Sequence, residues 1–125
     1  MERIRIAISS EGPGLDDRVD PRFGRAAGFL IVDPDSMATE YVDNGGSQVM
    51  AQGAGIQAAE TVSRAGATVV LTGYVGPKAF QALAAAGIQV GQNLERMTAG
   101  EALERYRSGK VETARQPNRQ RGHWR

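Results

Sequence analysis

The chain has 125 residues, 41% of them hydrophobic and 23% charged, with a net charge of +1, which fits one globular domain with its own core. It has no cysteine and a single histidine, His123. Disulfides, thiolate-held metal or iron–sulfur sites, thiol nucleophiles and a Ser–His–Asp triad inside the fold are therefore excluded. No apolar run approaches the roughly 18 residues of a membrane span, and Met1 to Ile8 alternates charge with isoleucine, unlike a signal or transit peptide. The expectation is a cytoplasmic protein without a membrane role.

Arg3-Ile-Arg-Ile-Ala-Ile8 alternates with period two and predicts a first strand with Ile4, Ile6 and Ile8 on one face. Residues 11–26, rich in Gly, Pro and Asp, predict a long loop, and such loops are often functional. Phe29–Val32 and Thr39–Val42 flank the turn residues Asp33-Pro34-Asp35-Ser36, so residues 28–43 read as a hairpin. From about Ala51 to Ala65 the pattern is helical, with Ile56, Ala59 and Val62 spaced along one face and Gly66 as the stop. Ala67–Leu71 is a continuous apolar run suited to a parallel strand covered on both faces. Pro77 opens the next helix, with Phe80 and Leu83 inward, and Gly87 closes it. Ile88–Val90 is a short last strand. Thr98 and Glu101 form a capping-box pattern before Leu103 and Tyr106, and Gly109 ends that helix.

This order predicts an α/β fold with a mixed five-stranded sheet, a hairpin meander followed by two strand–helix units, and about three helices. The crossover rule favours the fourth strand beside the first. Residues 1–110 form the predicted domain. Residues 111–125, with Arg115, Arg119, Arg121 and Arg125 and no acid after Glu112, read as a flexible basic tail. Without those arginines the body is net negative, which argues against nucleic acid as a partner.

Three glycine-bearing segments stand out: Ser9–Gly14, Gly53-Ala54-Gly55 and Gly73–Gly76. If the first and fourth strands are parallel neighbours, the first and third segments meet at the carboxyl end of the sheet, where open α/β sheets bind ligands. Lys78 in the first turn of a helix opposes the dipole and suggests an anionic ligand. The Gly73–Lys78 stretch lacks phosphate-loop spacing, which argues against nucleotide hydrolysis. Asp16, Asp17 and Asp20 alternate with Arg18, Arg22 and Arg25, a pattern read as local ion pairs rather than a divalent-cation site. His123-Trp124 reads as a solvated end, and Met37, Met50 and Met97 as packing.

Val19-Asp-Pro-Arg-Phe-Gly-Arg-Ala26, Gly53-Ala-Gly-Ile-Gln-Ala-Ala59 and Leu71-Thr-Gly-Tyr-Val-Gly-Pro-Lys-Ala-Phe80 together resemble the dinitrogenase iron–molybdenum cofactor biosynthesis family, and within it the orange protein branch. The resemblance covers roughly residues 3–109. It implies a ribonuclease H-like fold and a non-catalytic carrier or scaffold for an anionic metal–sulfide cluster. That cluster is a molybdenum–copper sulfide held without covalent attachment or, alternatively, an iron–molybdenum cofactor precursor. Some carriers of the family use a histidine or cysteine in the fold. Neither exists here, which fits a cluster that brings its own sulfides and is held by charge, N–H donors and apolar walls. The candidate binding residues are Ser10, Arg22, Phe23, Arg25, Gly53, Gly55, Gly73, Tyr74, Val75, Gly76 and Lys78, with no protein metal ligand and no catalytic residue. The competing expectation is a regulatory module of the same fold that binds a small anion or a protein partner; the resemblance implies a partitioning-type ATPase. A small enzyme is disfavoured by the lack of a nucleophile–base pair.

Overall fold

The computed structural model describes residues 3–45 and 53–114. Six strands, β1 (Ile6–Ser10), β2 (Gly28–Val32), β3 (Thr39–Asp43), β4 (Val69–Leu71), β5 (Gln89–Gly91) and β6 (Thr113–Ala114), alternate with α1 (Ala54–Arg64), α2 (Pro77–Ala85) and α3 (Ala99–Arg107). The sheet order is β3-β2-β1-β4-β5-β6. β1 pairs antiparallel with β2 and parallel with β4, and β5 extends the parallel part. The meander, the two strand–helix units and the place of β4 beside β1 are therefore as the sequence implies.

The mixed sheet also gains a short sixth strand, because Gly91 and Val90 pair with Thr113 and Ala114. These two residues fall inside the segment read as a tail. Residues 115–125, including His123-Trp124, lie outside the described residues.

The sheet is the middle of three layers. Ala7, Phe29, Ile31, Val70 and Val90 pack on the inner faces of α1 and α2, supplied by Ala58, Ala59, Val62, Ala79, Phe80 and Leu83. On the other face Ile6, Ile8, Leu30, Val32 and Leu71 meet Ala99, Ala102 and Leu103 of α3. Each fully buried branched or aromatic side chain contributes about 1.5–3 kcal/mol of transfer free energy. Two isoleucines depart from the sequence reading. Ile4 precedes β1 and is 47% exposed. Ile56 is 41% exposed; two positions on from buried Ala54, it points about 200° round the helix from the core face.

β1 runs two residues past Ile8 because the polar end of the strand is satisfied internally. The Ser9 hydroxyl donates to the Asp20 carbonyl at 2.8 Å and shares a hydrogen bond with the Thr72 hydroxyl at 2.6 Å, and the Ser10 hydroxyl donates to the Gly12 carbonyl, so both serines are buried without an orphaned donor. Gly66, Gly87 and Gly109 follow the three helices with φ of 86°, 77° and 74°, the left-handed conformation that ends a helix without strain in glycine. α3 starts on a complete capping box: the Glu101 amide donates to Thr98 Oγ1 at 3.1 Å, and the Thr98 amide to Glu101 Oε1 at 2.8 Å.

A candidate anion-binding site

β1 and β4 run side by side, so the chain leaves both at the same edge of the sheet. The segment after Asp20 then lies against the turn after β4. The Tyr74 amide donates to the Pro21 carbonyl at 2.8 Å, and the Phe23 amide donates to the Tyr74 carbonyl at 3.0 Å. This short bridge holds Arg22 and Tyr74 side by side. Phe23 is buried, with its ring centroid 5.3 Å from that of Phe29. From below, the Asn44 side-chain amide donates to the carbonyls of Gly24 at 3.2 Å and Ala26 at 2.9 Å.

Two helices begin at this edge. α1 starts after Gly53, whose φ of 81° turns the chain, and α2 starts after Gly76 with Pro77 in the first turn. Neither has a side-chain cap or an acidic residue in its first turn, whereas α3, on the opposite layer, has both. The first-turn amides of α1 and α2 have no intrahelical acceptor. The packing that brings these ends together uses very small residues. A methyl on Gly24 would lie 2.9 Å from Gly55 Cα, and one on Gly55 would lie 2.8 Å from Ala79 Cβ, inside any normal carbon–carbon contact. Gly76 is the opposite case: a methyl there meets nothing within 4 Å.

Between these elements lies an open cavity of about 510 Å³. Among the described residues its charged lining is Arg22, Arg25 and Lys78, with no acidic residue; its apolar lining includes Phe23, Ile56, Tyr74, Pro77 and Ala79. Arg22, Lys78 and Tyr74 are exposed, and Arg25 is half-buried. An anion here would meet cations, helix-end amides and an apolar wall that lowers the local dielectric.

Eight of the eleven sequence candidates line this cavity: Arg22, Phe23, Arg25, Gly53, Gly55, Tyr74, Gly76 and Lys78. Three do not. Ser10 is wholly buried and its hydroxyl donates to the Gly12 carbonyl at 2.6 Å. Gly73 is packed against Pro21, where a methyl would lie 2.5 Å from the carbonyl oxygen. Val75 is buried, and its amide already donates to Gln92 Oε1 at 3.2 Å. Sequence reading passed over Gly24, Ala54, Ile56, Pro77 and Ala79 as site residues. Gly24 and Ala79 carried a signal in their small size, while Ile56 was masked by its fit to a helical apolar stripe.

Two of the loop's acidic residues, Asp17 and Asp20, hold backbone. Asp17 Oδ2 accepts the Gly14 amide at 2.8 Å, and Asp20 accepts the amides of Arg22 and Ala27. Among the described residues there is no group of three His, Cys, Asp or Glu side chains able to hold a metal ion, and none of their helices is long and apolar enough to cross a membrane.

Fold and site define a small α/β domain that carries a cationic, glycine-built cavity at one edge of a mixed sheet. The chain belongs to the dinitrogenase iron–molybdenum cofactor family, whose model matches residues 2–109. It is similar to the apo form of the orange protein from Desulfovibrio gigas, with 60% identity over 94% of this chain and 98% of that one and a TM-score of 0.92. A Thermotoga protein, described as NifB and of the DUF35 family, is 32% identical over 94% of this chain and 98% of its own, with a TM-score of 0.80. A Methanocaldococcus jannaschii protein described as a dinitrogenase shares the fold at a TM-score of 0.70 with 15% identity, over 94% of this chain and 100% of its own. No curated protein matches the chain. The sheet order β3-β2-β1-β4-β5, with β2 antiparallel to β1, is the ribonuclease H-like arrangement that the family resemblance implies.

Proposed function

We propose that this protein is a non-catalytic carrier of an anionic, molybdenum-containing metal–sulfide cluster, which it holds without covalent bonds in the cavity between Arg22, Tyr74 and the starts of α1 and α2. One observation carries the reading: among the described residues, three cations and no acid line a cavity onto which two helices without side-chain caps open. Family membership and the likeness to the orange protein support molybdenum chemistry. The resemblance favours a molybdenum–copper sulfide over an iron–molybdenum precursor.

The donor set fits a cluster that brings its own sulfur. The chain has no cysteine, and its one histidine is His123 near the terminus. Carboxylates are hard ligands and poor partners for copper(I) or molybdenum sulfide. The metals are then satisfied by the sulfide of the cargo, and the protein acts from outside that shell. Arg22, Arg25 and Lys78 balance its charge, the amides of Gly55, Lys78 and Ala79 donate hydrogen bonds, and Phe23, Ile56 and Tyr74 exclude water.

The test is retention. Protein incubated with tetrathiomolybdate and copper(I) is expected to keep both metals through gel filtration and to show charge-transfer absorption in the visible. Lys78→Glu, and separately high salt, should weaken retention, since exposed charges are screened. Wild-type protein that emerges free of molybdenum, or retention indifferent to both changes, overturns the proposal.

A further inference from the structure

We propose that Asp20 is the positioning residue of this site, whose buried carboxylate sets the course of the chain that carries Arg22, Phe23 and Arg25. The inference rests on the carrier reading for its binding arm alone. Residues 21–27 have no helix or strand of their own beyond the single bridge at Arg22, and one internal turn bond from the Ala26 amide to the Phe23 carbonyl at 3.4 Å, so contacts from outside hold most of their shape: the Tyr74 bridge, Asn44 and Asp20. Asp20 is 9% exposed, and its two oxygens reach the two ends of the segment. Oδ1 accepts the Arg22 amide at 3.3 Å and Oδ2 the Ala27 amide at 3.2 Å. The carboxylate thereby closes a ring with Phe23, Gly24 and Arg25 inside it.

The backbone of Asp20 is itself fixed. Its amide donates to the Ser9 carbonyl at 2.9 Å and its carbonyl accepts the Ser9 hydroxyl at 2.8 Å. The bond between the Ser9 and Thr72 hydroxyls, at 2.6 Å, ties this knot to the end of β4. The register of the two central strands thus passes through Asp20 to the cations of the cavity.

The choice of residue sharpens the argument. A negative charge beside an anion site opposes binding by Coulomb's law, so attraction does not explain it. An aspartate side chain presents an oxygen to each of the two amides; asparagine has the same shape but sets an NH2 donor against one of them. The two accounts make opposite predictions for Asp20→Asn. Electrostatics alone gives tighter anion binding, and positioning gives weaker.

The experiment compares wild type, Asp20→Asn and Leu103→Val, the last a core change on the opposite layer that controls for stability. Affinity for tetrathiomolybdate with copper(I) is titrated, and amide hydrogen exchange is followed at Arg22 and Ala27. Asp20→Asn should bind about tenfold more weakly, and one of the two amides should exchange at least tenfold faster, while Leu103→Val changes neither beyond its effect on global stability. Binding by Asp20→Asn as tight as or tighter than wild type overturns the proposal. If wild type takes up no probe, the carrier reading fails and the exchange arm decides alone: unchanged exchange at both amides in Asp20→Asn then refutes the role of Asp20.

Discussion

Replacing Gly55 by alanine isolates the contact on which the cavity depends. The added methyl would sit 2.8 Å from Ala79 Cβ, against an ordinary contact of at least about 3.4 Å, so α1 and α2 must part by roughly 0.6 Å where they begin. Both atoms are bonded directly to helix backbone, and no rotamer change can relieve the clash. Overpacking of this kind costs about 1–3 kcal/mol. Alanine gains at most about 1 kcal/mol over glycine in a helix, and less in a first turn. The net expectation is a loss of about 1 kcal/mol, or roughly 3–5 °C in Tm for a chain of this size. Because Gly24 rests on Gly55 Cα, the Arg22–Arg25 segment shifts too, and metal retention should fall by more than the stability loss explains. Calorimetry with retention measured well below Tm tests both. A Tm equal to or above wild type, with retention intact, would refute the packing argument and leave helix propensity as the dominant effect.

Other changes probe separate parts of the molecule. Gly76→Ala meets no atom within 4 Å and should leave Tm within about 2 °C of wild type, since it adds neither a clash nor a lost bond, while a bulkier Gly76→Leu fills the cavity and lowers retention in the same gel-filtration assay. Thr98→Ala removes the capping bond of α3 and should cost about 1 kcal/mol in a thermal melt, with retention unchanged because α3 lies on the far layer. Burial, and then the charges of Asp43, Asp20 and Asp17, raise the Tyr41 phenol above its ordinary 10.0. A raised folded value means a contribution that is complete below pH 10 and lost as pH climbs through the folded value, so the alkaline decline in unfolding free energy should be shallower in Tyr41→Phe. The Asp33 carboxyl is held below its ordinary 3.8 by the amides of Asp35 and Ser36 and then by Arg3. Its contribution is complete above that value and lost as pH falls through the lower folded one, and an acid titration of Asp33→Asn should lack that limb.

Most of the architecture was legible because local signals agreed with one another. The alternation in Ile6–Ile8, the turn chemistry at Asp33–Ser36 and the Thr98–Glu101 box each depend on residues within a few positions. What escaped depends on contacts between segments distant in sequence. Ser9 and Ser10 look like strand breakers until Asp20 and Thr72 are seen to satisfy Ser9. Gly73 and Val75 look like exposed ligand backbone, but Pro21 presses on one and Gln92 takes the amide of the other. Ile56 fits a helical core stripe, yet the short residues Ala54, Ala58 and Ala59 form the face that packs. The β6 pairing was invisible for a related reason, since two residues carry no periodicity and the pairing is set by β5. Lys78 was visible because a charge placed against a helix dipole is itself unusual, whereas Arg22 and Arg25, whose spacing reads as local ion pairing, came to the site only through the family resemblance.

The turn between β4 and α2 has its polar groups engaged before any cargo arrives: the Tyr74 amide with Pro21, the Tyr74 carbonyl with Phe23, and the Val75 amide with Gln92. Ordering a residue costs about 1–2 kcal/mol of backbone entropy, and here that ordering belongs to folding rather than to loading. A clasp formed in this way has no spring. On the carrier reading, this turn gains nothing by closing on a guest and stores nothing for opening, so its share of the guest's residence time comes from direct contacts. If the cavity holds a cargo as proposed, an acceptor would meet that cargo at the exposed apolar side chains of Ile56 and Tyr74.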